Sequence, residues 1–377
     1  MSEEEKVYRE LQKHLDRQAV GYPATKSGVE LKILKRIFNK DEARLAMHLT
    51  YKPRSVEHIY ETAKEMGLSL NHTENMLDAM MKNGAIGHIE REGKRYFCNI
   101  PFAIGMYEGQ LNKLTPEFIE EIDEYTGGNS FGLAFLGTEL PQMRTIPVRE
   151  SIPLSYQVTN YNHMTDIINN NDGPIVILEC ICRQKAAILG NPCQQTTRLE
   201  TCMALGDMAN NLVMSGIGRE ISKEEALEIT RQNEADGLVL QPSNTQKVEF
   251  VCACCGCCCG MLTIHKMLPK PVEFWSTNYY NKVDSEKCDG CATCVTRCQV
   301  NALSIDERLN VAKVNLDRCI GCGNCIVSCP SEALSLTKKE KETIPPVDSE
   351  SLYDIIMANK KGLLGKMKLA ARIMLKI

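Results

Sequence analysis

Residues 288–298 read CDGCATCVTRC and residues 319–329 read CIGCGNCIVSC, so the cysteine spacing C-x2-C-x2-C-x3-C occurs twice in the chain. The two runs begin 31 residues apart, and the tripeptide ALS at 302–304 recurs at 333–335. Because the similarity extends beyond the cysteines, the segment is predicted to be an internal duplication.

The spacing suits a cubane iron-sulfur cluster. Each of its four irons takes one thiolate, and three cysteines on one tight loop can reach three neighbouring irons. The sequence therefore predicts two 4Fe-4S clusters. The alternative is a pair of zinc sites, although zinc sites usually use two separated C-x2-C pairs.

The duplicated segment resembles the bacterial two-cluster ferredoxins over residues 283–337. Pro330 matches their pattern, whereas Gln299 stands where a proline is expected, so we expect altered hydrogen bonding near one cluster. In such duplicated runs the fourth ligand comes from the other repeat. The resemblance implies the following ligand sets: Cys288, Cys291, Cys294 and Cys329 for one cluster, and Cys319, Cys322, Cys325 and Cys298 for the other.

The whole chain has 377 residues, 19 cysteines and a net charge of −4. This length predicts several domains. Many cysteines without a secretory signal predict a reducing compartment, the cytoplasm, in an anaerobe. No run approaches the roughly 20 apolar residues of a membrane-spanning helix. The net charge gives no general attraction to nucleic acid.

We expect an α+β multidomain protein with four parts. These are a leader and winged-helix domain (1–104), a cysteine-rich mixed α/β domain (105–280), a two-cluster ferredoxin domain (281–337), and a linker with a basic amphipathic helix (338–377).

The winged-helix prediction rests on helix start signals at Asn39, Ser55 and Asn71, and on a hairpin over 85–100 that turns at Glu92-Gly93. In a DNA-binding winged helix the third helix enters the major groove. Here that helix carries two acids and one cation, which favours a protein-docking or structural role over DNA binding. The wing keeps the DNA alternative open through its cations: Arg91, Lys94 and Arg95.

Ten cysteines lie in the middle region. Cys180, Cys182, Cys193 and Cys202 follow a predicted strand at 175–179, with Cys202 expected on a helix that starts near Arg198. These four are expected to converge on one metal centre. The remaining six lie within eight residues: Cys252, Cys254, Cys255, Cys257, Cys258 and Cys259.

Neighbouring side chains of an extended chain point to opposite faces, so this dense run is expected to serve two sides, with one subset completing the Cys180 group. We predict one or two additional iron-sulfur centres in the region. Zinc or copper(I) bound by thiolates is the alternative. Which of the ten cysteines bind metal stays open. Arg183, His163 and His265 receive no assigned role, and Cys98 is expected to be a buried apolar residue.

The last helix is predicted to be amphipathic and basic. Its apolar stripe is Leu363, Met367, Ala370 and Met374, and its basic stripe is Lys361, Lys368, Arg372 and Lys376. Such a helix suits an anionic membrane surface, an acidic groove on a partner, or packing against its own protein.

The functional prediction is an electron-transfer protein whose two clusters pass single electrons between the cysteine-rich centre and a redox partner or a larger oxidoreductase complex. One alternative is a redox-sensing winged-helix transcription regulator, and another is an oxidoreductase with an unusual iron-sulfur active centre. The combination of parts also resembles iron-sulfur fusion proteins of anaerobic microbes. Nucleic acid is not an expected partner, and peripheral membrane contact through the last helix is an option.

Overall fold

The computed structural model describes residues 2–152 and 160–375. Lys376 of the predicted basic stripe lies outside these residues, and the side chain of Leu363 lies outside the described part as well.

The described helices are α1 (Glu3–Asp16), α2 (Val29–Ile37), α3 (Lys40–Ala46), α4 (Val56–Thr62), α5 (Leu70–Lys82), α6 (Pro116–Thr126), α7 (Asn129–Leu136), α8 (Met164–Asn169), α9 (Ile181–Ile188), α10 (Gly206–Met214), α11 (Lys223–Ala235), α12 (Gly260–Met267), α13 (Thr293–Arg297), α14 (Ser349–Ala358) and α15 (Leu363–Leu375).

The described strands are β1 (Arg54–Ser55), β2 (Ile86–Arg91), β3 (Lys94–Asn99), β4 (Ile175–Glu179), β5 (Glu200–Leu205), β6 (Arg219–Ile221), β7 (Val239–Pro242), β8 (Phe250–Cys254), β9 (Tyr279–Val283), β10 (Leu303–Asp306), β11 (Val311–Val314) and β12 (Leu334–Lys338).

The described residues form two compact units. The first contains residues 2–139, 205–220 and 350–370, and the second contains 140–204, 221–349 and 371–375. All eighteen cysteines other than Cys98 belong to the second unit.

The first unit has a three-stranded antiparallel sheet with the order β1-β3-β2. The capping box at Asn39, the cap at Ser55 and the hairpin turn between β2 and β3 are as predicted. The predicted start of α5 at Asn71 is wrong. The Ser69 side chain accepts a hydrogen bond from the His72 N–H, so the N-cap is Ser69, two residues before Asn71. The winged-helix assignment stays a prediction.

The second unit contains sheet strands in the order β4-β5-β8-β7. Strand β4 has the predicted bounds. Cys202 lies on β5, so its predicted place on a helix is wrong. The reason is tertiary: β5 pairs with β8 through Met203 and Val251, and this pairing holds the segment extended.

The duplicated segment forms two small antiparallel sheets, β9 with β12 and β10 with β11. The repeated ALS tripeptides lead into β10 and β12, where Leu303 pairs with Val314 and Leu334 with Val283. The duplication in sequence is therefore a duplication in structure.

Candidate metal centres

The first ferredoxin-type group contains Cys288, Cys291, Cys294 and Cys329, whose side chains line one cavity. Burial raises the pKa of Cys294, and the neighbouring thiols of Cys288, Cys329 and Cys291 raise it further. The structure thus brings the last cysteine of the second run to the first three cysteines of the first run.

The second group brings Cys298 to Cys319, Cys322 and Cys325. Burial raises the pKa of Cys322 to about 12, and the thiols of Cys298 and Cys319 add to this shift. Burial raises the pKa of Cys325, and the thiols of Cys322, Cys298 and Cys319 raise it further. The two groups have the crossed composition that the resemblance implies. The role of each cysteine as a cluster ligand stays a prediction.

Backbone donors point at the sulfurs in a repeated pattern. The Ala302 N–H donates to Cys298 Sγ at 3.2 Å, and the Ala333 N–H donates to Cys329 Sγ at 3.4 Å. Such N–H groups favour the thiolate form that binds iron and tune the bound metal. The donor set therefore fits iron-sulfur clusters at both groups.

One donor breaks the repeat. The backbone N–H of Asn281 donates to Cys319 Sγ at 3.4 Å, and its side-chain amide donates to Cys325 Sγ at 3.1 Å. Ala312 occupies the position 31 residues later and donates to Cys288 Sγ only through its backbone, at 3.3 Å. The second group therefore receives a side-chain amide donor at a position where the first group has an alanine. In the first group, the Thr293 and Ser331 hydroxyls lie 3.5 Å and 3.6 Å from the sulfurs of Cys291 and Cys329.

The ten upstream cysteines divide into two clusters of thiols. We call the first the six-thiol ring; its members are Cys180, Cys182, Cys202, Cys252, Cys254 and Cys259. Their side chains interact in the closed order 180, 182, 259, 254, 252, 202 and back to 180. Interaction with Cys180 raises the pKa of both Cys182 and Cys202 well above that of a free thiol.

Several elements supply this ring. Cys180 and Cys259 are the N-cap residues of α9 and α12, so the positive ends of two helices lie beside their sulfurs. Cys252 and Cys254 are two residues apart on β8 and share a face of the strand. The helix ends favour negative charge at these two N-cap positions, and Cys180 is the ring member whose pKa is lowered, whereas the neighbouring thiol of Cys252 and burial raise the pKa of Cys254.

The second cluster is the four-thiol group of Cys193, Cys255, Cys257 and Cys258, whose sulfurs all lie within 4.8 Å of one another. Cys193 Sγ is 3.6 Å from the sulfurs of both Cys255 and Cys257. Burial acts to raise the pKa of Cys193, but hydrogen bonds from backbone groups at 195–196, from Arg183 and from Cys255 lower it to about 7. Four converging thiols suit one tetrahedral metal ion or one cubane cluster.

The prediction that Cys193 joins Cys180, Cys182 and Cys202 in one centre is wrong. Cys193 lies in the loop beyond α9, whereas the other three lie at the N-terminal end of that helix and on β5. The dense run does serve two sides: Cys254 belongs to the ring, and the next residue, Cys255, belongs to the four-thiol group.

Arg183 lies between the two clusters and is 1% exposed. Burial disfavours its charge, yet Cys180, Cys255 and Cys202 raise the pKa of its guanidinium, and its side chain also interacts with Cys193. One amino group donates to the Ala253 carbonyl at 2.8 Å, while Nε finds no hydrogen-bond partner among the described residues. Its place beside Cys182 in sequence was visible, but only the fold shows that it faces both clusters.

Gln299, the residue that replaces the expected proline, connects the second ferredoxin-type group to the four-thiol group. Its Oε1 accepts from the Gly256 N–H at 2.7 Å, and its Nε2 donates to Gln195 Oε1 at 2.9 Å. A Cβ on Gly256 would lie 2.4 Å from the Gln299 carbonyl, so only glycine permits this approach.

These cysteine groups do not include His163, His265 or Cys98. His265 is fully buried and packs edge-on against Trp275, with ring centroids 5.1 Å apart. His163 Nδ1 lies 4.0 Å from Asp166 Oδ2. Cys98 is half-buried on β3, in the first compact unit.

A comparison with protein families matches residues 280–343 to the 4Fe-4S dicluster domain. Neither the curated proteins nor the solved structures gave a match to the chain. The protein therefore contains an iron-sulfur module in its C-terminal part. Within the described residues, none of the helices combines the length and the apolar character needed to cross a membrane.

Proposed function

We propose that this protein transfers single electrons between a metal centre held by the upstream cysteines and a protein redox partner, by way of two 4Fe-4S clusters held by the crossed cysteine sets. Clusters of this kind exchange one electron at a time, and the protein sets their potentials through hydrogen bonds, charge and burial. The partner in this proposal is a separate redox protein or a larger oxidoreductase complex to which the chain belongs.

The observation that carries the proposal is a shared apolar core. Cys254 and Cys259 of the six-thiol ring pack in one hydrophobic cluster with Ile320 and Cys319 of the second ferredoxin-type group. Cys252, Cys298 and Cys322 border the same cluster. Sulfurs of both groups therefore border one water-excluding layer, which favours electron exchange between centres bound there.

The first ferredoxin-type group supports a place for the partner. Cys291 is exposed, whereas Cys319 and Cys325 of the second group are buried. A partner that docks beside Cys291 would come closest to the outer cluster. Electrons would then pass between the exposed first group and the buried second group, which lies nearer the six-thiol ring.

The regulator alternative has less support. Arg95 of the wing lies 3.1 Å from Glu74 and 2.9 Å from Asp78, so acids of α5 neutralise a cation that DNA would need. Helix α10 also packs on the hairpin, where the Asn211 amide donates to the His88 carbonyl at 2.9 Å. These contacts favour the docking role for this domain.

Peripheral membrane contact is a further option supported by α15. Leu364 and Met367 are exposed on this helix, next to the basic residue Lys368, while Leu369 is buried. An apolar and basic surface of this kind suits anionic headgroups.

The experiment uses the full chain purified without oxygen. Iron and acid-labile sulfide analysis should give about eight irons for the ferredoxin-type module, with further metal upstream. Reduction by a small photoreduced ferredoxin, followed by electron paramagnetic resonance, should show cluster signals before the upstream centre is reduced. Cys322→Ser should remove one cluster and slow that second step.

Cys98→Ser is the matched control, since it removes a half-buried thiol from the first unit, and it should change neither the iron content nor the rates. A wild-type protein without cluster iron would refute the proposal. An unchanged upstream rate in Cys322→Ser would refute the electron path.

A further inference from the structure

The six-thiol ring has more sulfur than one ordinary site uses. A tetrahedral metal ion takes four ligands, and a cubane cluster takes four thiolates. Cys252 packs against the hydrophobic cluster that contains Cys254 and Cys259, and Cys180 and Cys182 lie at the start of α9. Each of the six side chains interacts with two other thiols of the ring, in a closed order. A closed ring of this kind suits thiolates that are shared between metal ions.

We propose that the six-thiol ring holds a polynuclear centre of thiophilic metal ions, separate from the centre at the four-thiol group. This inference deepens the proposed function, because it names the kind of centre at the inner end of the electron path. Iron, copper(I) and zinc all bind thiolate, and metal analysis distinguishes them.

The electrostatics of the surroundings support a highly anionic centre. The N-terminal ends of α9 and α12 lie at ring residues Cys180 and Cys259, where helix dipoles stabilise negative charge. Arg183 adds a buried cation that donates to the neutral oxygens of Thr201 and Ala253 and also hydrogen-bonds the Cys193 thiol. A buried guanidinium is costly without an anion, and metal-bound thiolates supply one.

Arg183 also explains why there are two centres and not one. Its side chain interacts with Cys180 and Cys202 of the ring and with Cys193 and Cys255 of the four-thiol group. A cation in this position separates two anionic centres and stabilises both. The backbone divides them as well, because consecutive residues Cys254 and Cys255 serve opposite sides.

The test compares Cys254→Ser in the ring with Cys257→Ser in the four-thiol group, both in the full chain purified without oxygen. Iron, copper, zinc and acid-labile sulfide are counted per chain. Cys254→Ser should lose at least two metal ions, Cys257→Ser should lose a different set, and the double variant should lose the sum. The resonance signal of the ferredoxin-type clusters should persist in all three and serves as the folding control.

Loss of one metal ion or none in Cys254→Ser would overturn the inference, and so would loss of the same metals in both variants. A wild-type chain with no metal beyond the ferredoxin-type module would overturn it too. If Cys254→Ser does not fold, Cys252→Ser tests the same ring at a half-buried position. A wild-type chain that shows no resonance signal from the ferredoxin-type clusters but retains metal in the six-thiol ring would refute the proposed function and leave the inference about the ring intact.

Discussion

The side-chain amide of Asn281 is predicted to raise the potential of one ferredoxin-type cluster. It is buried and donates to Cys325 Sγ at 3.1 Å, while Ala312 at the repeat-related position has no such donor. A hydrogen bond to a charged group contributes about 1.5–3 kcal/mol, of which we assign about 1 kcal/mol to the extra charge on sulfur after reduction. Since 1.4 kcal/mol corresponds to 59 mV for one electron, Asn281→Ala should lower one potential by about 40 mV.

The assay is a redox titration of the full chain followed by electron paramagnetic resonance. One potential should fall and the other should stay, because the backbone donors at 281, 302, 312 and 333 remain. Asn278→Ala is the matched control. Asn278 is equally buried and binds both backbone groups of Thr343, so its loss should lower stability without moving either potential. Equal shifts of both potentials, or the same shift in the control, would refute the reasoning.

Three further predictions concern residues around the centres. Gln299→Ala removes hydrogen bonds to Gly256 and Gln195, so the free energy of unfolding in denaturant should fall by about 2 kcal/mol. The metal bound by the four-thiol group should be lost as well. Gln110→Ala, which also loses a buried hydrogen bond, should lower stability but retain that metal. Arg183→Gln should lower the potentials of both upstream centres in a redox titration and leave the ferredoxin-type potentials unchanged. Burial and the neighbouring Arg318 charge lower the pKa of His265 to about 3 against about 6.5 when unfolded, so only the unfolded chain takes up this proton between those values. The free energy of unfolding should therefore decrease as the pH is lowered. Between pH 7.5 and 5.5, denaturant unfolding should show a decrease that is about 1.4 kcal/mol larger in wild type than in His265→Gln.

The sequence predicted well where spacing alone sets geometry. The C-x2-C-x2-C-x3-C runs bring their cysteines together in the crossed sets, and the bounds of β4 follow from a short apolar run. It failed where partners lie far apart in the chain. The pairing of β5 with the distant strand β8 leaves no local signal, so the sequence around Cys202 wrongly predicts a helix. Spacing likewise groups Cys193 with its sequence neighbours, although its contacts lie more than sixty residues away.

The role of Gln299 illustrates the same limit. Its departure from the ferredoxin pattern was visible, and it predicted a change in hydrogen bonding. The partner, Gly256, was invisible because it lies 43 residues away in another part of the second unit. A substitution within a repeat can show that something differs, whereas only the fold shows what the new side chain binds.

The two repeats differ mainly on one side of the module. Asn324 of the second repeat is buried and donates to the Gly237 carbonyl at 2.9 Å, whereas its counterpart Thr293 is exposed. Arg318 donates to the Leu268 carbonyl at the end of α12, at 3.1 Å, whereas its counterpart Lys287 is exposed.

Gln299 and Asn281 follow the same rule, since both act at the second ferredoxin-type group. The duplication preserved eight cysteines, while Gln299, Asn324 and Arg318 at the second group bind the cysteine-rich region and the counterparts Thr293 and Lys287 are exposed. Such an asymmetric module has distinct inner and outer ends, which a freely diffusing ferredoxin does not require. This divergence supports electron flow in a fixed order, from an outer partner through both clusters to the six-thiol ring or in the reverse direction.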